Sequence, residues 1–238
     1  MAAQKPSEED ANARQQPQAT AGVPARRKYD SERQKQRQGA ILAAARGMLD
    51  REGYSGMTMR GLAKEAGVAQ GTLYNLYSSK DDLILAAVED LLADIGERAV
   101  ADNPVPGIPA ILNMSRLTGE ATQATPRYAE AIARSTYRAQ PDDPLIDVLF
   151  TRSLPFLVQH LRIAEQQDQL RAGVDVELLA RHLVGQMWGV MLLWMMGMLE
   201  TNAFVTERLR SDLMTLIGVT SGTMRSELEQ RYDALDAA

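Results

Sequence analysis

The 238 residues contain no cysteine and only two histidines, His160 and His182. Disulfide frameworks, thiolate metal sites and cysteine nucleophiles are therefore excluded. Both histidines stand in helical text without a nucleophile beside them, HLVGQ is not a zinc motif, and no glycine loop cradles phosphate. No catalytic residue, metal site or cofactor is expected. Period-two alternation is also missing, so no sheet is expected. The longest apolar run, MWGVMLLWMMGML from Met187 to Leu199, covers 13 residues and follows Arg181 and His182. That falls short of the ~18 to 20 residues that cross a bilayer, so no membrane partner is expected. The first residues carry acids and prolines where a secretory signal needs a basic end and an apolar run. A cytoplasmic protein is the expectation.

The net charge of -5 is unevenly placed. Residues 1–25 hold 2 bases and 3 acids, residues 26–80 hold 11 and 5, and residues 81–238 hold 13 and 23. A basic block on an acidic body is the asymmetry expected when one end of a protein meets phosphate. Residues 1–30, rich in Gln, Ala, Pro and Ser, read as a flexible arm ending in Arg26, Arg27 and Lys28. Such a tip suits a DNA backbone or minor groove, or simply solubility.

From Ser31 the pattern is helical. Ile41, Leu42, Ala45, Met48 and Leu49 share one face, and Gly53 supplies the stop. Met59, Leu62, Ala63 and Ala66 form a second stripe that Thr58 can cap and Gly67 ends. A third short helix spans about Gln70 to Tyr77. A fourth starts near Ser79 to Asp81 and carries Ile84, Val88, Leu91 and Ile95 as a connector between modules. Breaks follow at Asn103 to Pro106, Pro126, Pro141 to Pro144 and Gly173. The fold class expected is all-α: an N-terminal three-helix helix-turn-helix module over 31–80, then a C-terminal helical bundle over 81–238, with about nine helices and a homodimeric assembly.

With Met59 as the first position of a helix-turn-helix, Leu62, Ala63, Ala66, Gly67, Val68, Leu73 and Leu76 fall where that motif needs apolar, small or left-handed residues. Ala63 must be small because the second helix crosses over it. The second helix of such a motif enters a major groove. Its outward side would present Gln70, Gly71, Thr72, Tyr74 and Asn75. Gln70 and Asn75 can pair with adenine, Thr72 can reach a base edge, a thymine methyl or phosphate, and Gly71 lets the backbone approach. Tyr74 and Lys80 suit phosphate, and Thr58 can direct N–H groups and a hydroxyl at another. Arg60 completes the DNA-facing set.

The segment MTMRGLAKEAGVAQGTLYNLYSSKDDLI resembles the DNA-binding segment of TetR-family regulators, over about residues 31–95. The resemblance implies that Thr58, Gln70, Gly71, Thr72, Tyr74, Asn75 and Lys80 touch double-stranded DNA. Leu76 and Tyr77 depart from the family's usual aromatic followed by Phe, so base preference does not carry over. The family pairs this module with a larger helical domain that dimerises and often holds a small effector. By that resemblance the dimer interface lies on the helices over about Asp175 to Leu199 and Ala203 to Val219, where Gly185 and Gly189 allow close approach.

The run Met187 to Leu199, apolar on every side, reads as a helix buried by neighbours all round. Candidate effector-lining residues are Met114, Leu117, Tyr128, Ile132, Tyr137, Phe150, Phe156, Met187, Trp188, Met191 and Trp194, with about half expected to touch a ligand. YAEAIARSTYRA together with MWGVMLLWMMG is similar to the steroid-catabolism repressor branch of the family, which implies a large apolar effector, a steroid or acyl thioester. The expected function is a ligand-responsive repressor on a palindromic operator. The alternative is a helical interaction protein of the same fold with accessory DNA binding.

Overall fold

Apolar stripes at helical spacing, interrupted by proline and glycine, dictate a chain of helices, and the computed structural model consists of them. It describes the backbone of residues 25–102 and 105–235, and side chains from residue 34 onward. Most of the expected arm lies outside the described residues, and its last six, 25–30, belong to the first helix. The helices are α1 (Ala25–Gly56), α2 (Met59–Glu65), α3 (Gln70–Leu76), α4 (Lys80–Asp102), α5 (Ile108–Ala124), α6 (Pro126–Thr136), α7 (Pro144–Ile146), α8 (Leu154–Gln166), α9 (Val176–Met195), α10 (Phe204–Val219) and α11 (Gly222–Ala234). Ten of these have seven residues or more, close to the expected nine. Asp147–Thr151 continues α7 as a π turn. The described residues form no strand, only an isolated antiparallel bridge between Leu170 and Thr220.

The punctuation follows local chemistry. Gly53 takes φ 70 and interrupts α1 where the stop was expected. Proline opens α5, α6, α7 and α8, where a missing N–H costs nothing and φ is already helical. The Asp175 side chain accepts the Leu178 N–H and caps α9, and Gly197 at φ 71 closes its other end.

Residues 38–238 form one compact unit, with its apolar interior in adjoining clusters. One joins Ile41, Leu49, Leu62, Leu73 and Leu83 of α1 to α4 with Tyr128 and Ile132 of α6. Another packs Ile111, Leu161, Leu179, Leu213 and Leu228 of α5, α8, α9, α10 and α11. A smaller cluster holds Ala133, Val184 and Trp188. The first core continues from the helix-turn-helix into α6.

A buried polar knot ties α10 to its neighbours. Asp212, fully buried, accepts from Arg208 one turn earlier, from the Ser115 hydroxyl of α5, and from Gln186 of α9 at 3.3 Å. Burial pushes the Asp212 carboxyl above the usual carboxylate range, with Arg208 and Ser115 opposing.

Candidate nucleic-acid interface and effector cavity

Helix α2 begins where the Thr58 hydroxyl accepts the Gly61 N–H at 3.1 Å. Its exit turn needs Gly67, at φ 65, after which the Val68 N–H returns to the Ala63 carbonyl at 3.0 Å. That turn sets α3 across α2 with Leu62 and Leu73 fully buried and Ala63 nearly so, the small residue at the crossing. Tyr77, just past α3, is also buried, so the departure at Leu76 and Tyr77 still supplies an aromatic core anchor. Ser79 accepts the Asp82 N–H at 3.0 Å and starts α4, with Asp81 and Asp82 in the first turn as expected.

The outward side of this element is the one read from sequence. Gln70, Gly71, Tyr74 and Asn75 are exposed, and Thr72 is half-buried. Thr58 and Arg60, at the start of α2, are exposed too. Gly71 has no heavy atom within 4 Å of where a Cβ would sit, so its own chain does not require glycine there. Lys80, expected to suit phosphate, packs on Tyr54. Its Nζ lies 3.8 Å over the Tyr54 ring and donates to the Tyr54 carbonyl, while burial lowers its pKa. The Tyr54 hydroxyl in turn donates to Asp81 at 2.6 Å. Sequence reading missed Tyr54, because nothing in a lone Gly-Tyr after a helix signals a lysine shelf.

A partly open apolar cavity of about 110 Å³ lies between α4, α5, α6 and α9. Of the eleven residues expected to line an effector site, Tyr128, Ile132, Met187, Trp188 and Met191 line this cavity. The other six lie elsewhere, each for a visible reason. Leu117 and Met114 pack on Ile95 and Ala99. Phe150 stacks behind Trp188 at 5.1 Å, and Tyr137, largely exposed, meets its edge at 5.9 Å. Phe156 lies on His160 at 4.4 Å, and Trp194 donates to the Thr201 hydroxyl and abuts Phe204. Sequence reading missed the α4 wall, made by Val88, Leu91, Leu92 and Ile95, and the α5 wall, where Thr118, Thr122 and Thr125 recur at helical spacing. The α4 stripe, expected as a connector between modules, also forms a cavity wall.

Two larger clefts flank Tyr54 at the surface, one of about 440 Å³ between the end of α1, the start of α4, α6 and α7, the other of about 560 Å³ between the end of α1 and α6. Both mix charged with apolar walls, unlike the cavity at Trp188. His160 accepts the Gly107 N–H on Nδ1 at 3.0 Å, and burial lowers its pKa, as befits a structural histidine.

The run from Met187 is not buried all round. Helix α9 buries Leu183, Val184, Trp188 and Val190, but Leu178, Leu192, Leu193 and Met196 are exposed, and Gly185 and Gly189 lie on that open side. Helix α10 leaves Met214 and Gly218 open. The sequence shows an all-apolar helix, and only the packing shows that the other described residues leave one face uncovered. No described helix is long and apolar enough to cross a membrane.

A helix-turn-helix with an exposed second helix, followed by a larger helical body, is the class of fold the described residues define. Residues 41–87 match the family model of "Bacterial regulatory proteins, tetR family". The chain is 32% identical over 135 residues to the HTH-type transcriptional repressor KstR of Rhodococcus jostii, a match covering 52% of this chain and 62% of that one. The shared stretch is therefore less than two thirds of KstR's length. A gamma-butyrolactone receptor described as ArpA-like shares the fold at TM-score 0.58 and 22% identity, over 86% of this chain and 98% of that one. CprB of Streptomyces coelicolor, solved with its operator sequence, shares it at TM-score 0.59 and 22% identity, over 85% and 98%.

Proposed function

We propose that this protein is a non-catalytic, cytoplasmic transcriptional repressor that binds a palindromic operator as a homodimer and is released by a small apolar effector. The observation that carries the reading is the two-sided α3: Leu73 is fully buried, while Gln70, Gly71, Tyr74 and Asn75 are exposed on its outer face. A helix so divided is anchored from behind and free to enter a major groove. Gln70, Thr72 and Asn75 read bases. Tyr74, Thr58 and Arg60 hold the backbone, joined by Lys80 once it leaves Tyr54. Residues 31–80 supply this contact, and residues 81–238 supply dimerisation and the effector cavity.

The open faces of α9 and α10 support a second copy as the partner. Leu178, Leu192, Leu193, Met196 and Met214 leave 41 to 62% of their surface exposed. The glycines between them, with no heavy atom near a Cβ, let another backbone approach. Operator binding by a two-fold dimer requires its two recognition helices about one DNA turn, ~34 to 36 Å, apart. The relatedness to a repressor, and to a receptor and an operator-bound protein by fold, agrees with this reading.

The cavity is smaller than the ~300 to 1,000 Å³ usual for drug-sized ligands, so a steroid fits only if its walls part. The effector proposed is accordingly small. Gel shift of the protein on its own upstream DNA against scrambled DNA, at physiological salt, tests the reading; equal affinity for both sinks it.

A further inference from the structure

Gly53, at φ 70, interrupts α1 one residue before Tyr54, and Tyr54 then meets the start of α4 with three of its own groups. The Lys80 Nζ lies 3.8 Å over the Tyr54 ring and donates to the Tyr54 carbonyl. The Tyr54 hydroxyl donates to Asp81 at 2.6 Å. One residue therefore holds both a cation and the anion next to it in sequence.

Lys80 is held differently from two other cations of the module. Arg46 reaches Asp90 at 2.9 Å and Arg51 reaches Glu65 at 2.7 Å, so each spends its charge on a carboxylate. Lys80 rests on a ring and a neutral carbonyl, weaker partners for an ammonium than an anionic oxygen. It also opens α4, where the helix dipole is positive and disfavours a cation. An ammonium in that position gains from an incoming anion. Yet it has only three N–H bonds to give, one goes to the carbonyl, and the ring covers one side of Nζ. A phosphate oxygen and the Tyr54 shelf contend for the same group. The shelf itself is dispensable to the core, since Tyr54 is 46% exposed and flanked by clefts.

We infer that Tyr54 competes with DNA phosphate for Lys80 and so lowers the affinity of the helix-turn-helix for every DNA sequence alike. This rests on the DNA-binding reading above, in which Lys80 meets the backbone. In the free protein the ring holds Nζ, and in the complex Nζ passes to phosphate. Tyr54 is thus a residue that sets affinity without touching a base.

The test measures binding of the full-length protein to a duplex of its own upstream DNA and to a scrambled duplex, by fluorescence anisotropy. Tyr54→Leu and Tyr54→Phe both lose the hydroxyl, so their ratio isolates the ring. Tyr54→Leu should bind both duplexes about two- to fivefold more tightly than Tyr54→Phe, the span of an exposed cation–π contact. In a Lys80→Ala background the two should bind equally. Lys80→Ala alone should weaken both duplexes and reduce the salt slope by about one. A second readout follows Lys80 directly. Its Hε protons should lie upfield in the free protein, under the ring, and return to the ordinary lysine position when DNA is added; the chain has five lysines, and Lys80→Ala assigns the signal. Equal binding by the two Tyr54 variants, tighter binding by Tyr54→Phe, unchanged binding by Lys80→Ala, or Hε protons that stay upfield in the complex overturns the inference while DNA binding stands. If neither duplex binds even at low salt, the DNA-binding reading falls and takes the inference with it. Should Tyr54→Leu not fold, the Lys80 Hε shift decides alone.

Discussion

The carboxylate of Asp50, in α1, accepts the backbone N–H of Tyr128 at 3.2 Å and that of Arg127 at 2.9 Å, so the first helix caps the start of α6. Tyr128 also lines the cavity, and its hydroxyl lies in the field of the Arg46–Asp90 ion pair that joins α1 to α4. One residue thus touches the cavity and α1, the helix packed behind the helix-turn-helix. In the proposed reading, this hydrogen bond is the route by which an occupant of the cavity acts on α1. Asp50→Ala should cost about 1 kcal/mol, as loss of a helix cap does, and should speed amide exchange at Arg127 and Tyr128. Unchanged exchange there would show that the cap carries no coupling.

Leu73 and Tyr74 are adjacent in sequence and opposite in role. Leu73→Ala empties a fully buried site and should destabilise the fold by about 2 to 5 kcal/mol in urea unfolding. Tyr74→Ala, at a side chain left 49% exposed, should change stability by less than about 0.5 kcal/mol. It should weaken every DNA sequence alike. Selective loss of operator binding by Tyr74→Ala would move that residue from backbone anchor to base reader.

How far the sequence could be read depended on whether a feature is local. The turn at Gly67, the Thr58 cap, the Ser79 start of α4 and the inward placement of Leu73 follow from near neighbours in the chain, and all are present. The cavity is not local. Leu91 and Leu92 face it because α4 crosses α5 and α6, and Phe156 turns away because His160 lies one turn along α8. Periodicity gave the stripes but not their partners, so aromatic and Met residues were overcounted and the threonines of α5 overlooked. The Asp212 knot was likewise invisible, since Ser115, Gln186 and Arg208 converge only when three helices pack.

That knot makes a pH-dependent prediction. Removing one partner of a buried pair strands the other, so Asp212→Ala should cost about 3 to 5 kcal/mol, and Asp212→Asn less. A carboxyl whose pKa is raised by folding adds stability below its unfolded value, near 3.9, and loses it as pH rises through the folded value. Relative to Asp212→Asn, the unsubstituted protein should therefore lose stability from acidic to neutral pH. Urea midpoints of both proteins across that range check the sign, and a constant difference would refute it.

Dimerisation can be separated from folding at Gly189. No heavy atom lies within 4 Å of a Cβ there, and leucine favours helix over glycine, so Gly189→Leu should fold at least as well as the natural chain. It should obstruct a second copy. Sedimentation is expected to show a monomer with unchanged helicity, and a persistent dimer would move the interface elsewhere.

The most direct test is selection of DNA from a random pool by the full-length protein, followed by binding with Gln70→Ala and Asn75→Ala. The expected product is an inverted repeat with half-site centres about 10 to 10.5 base pairs, or a multiple, apart. Each substitution should cost about 1 to 3 kcal/mol at one position of each half-site and relax the preference there. A pool that enriches no repeat, or whose preference both substitutions leave intact, would contradict the assignment of α3 as the reading helix.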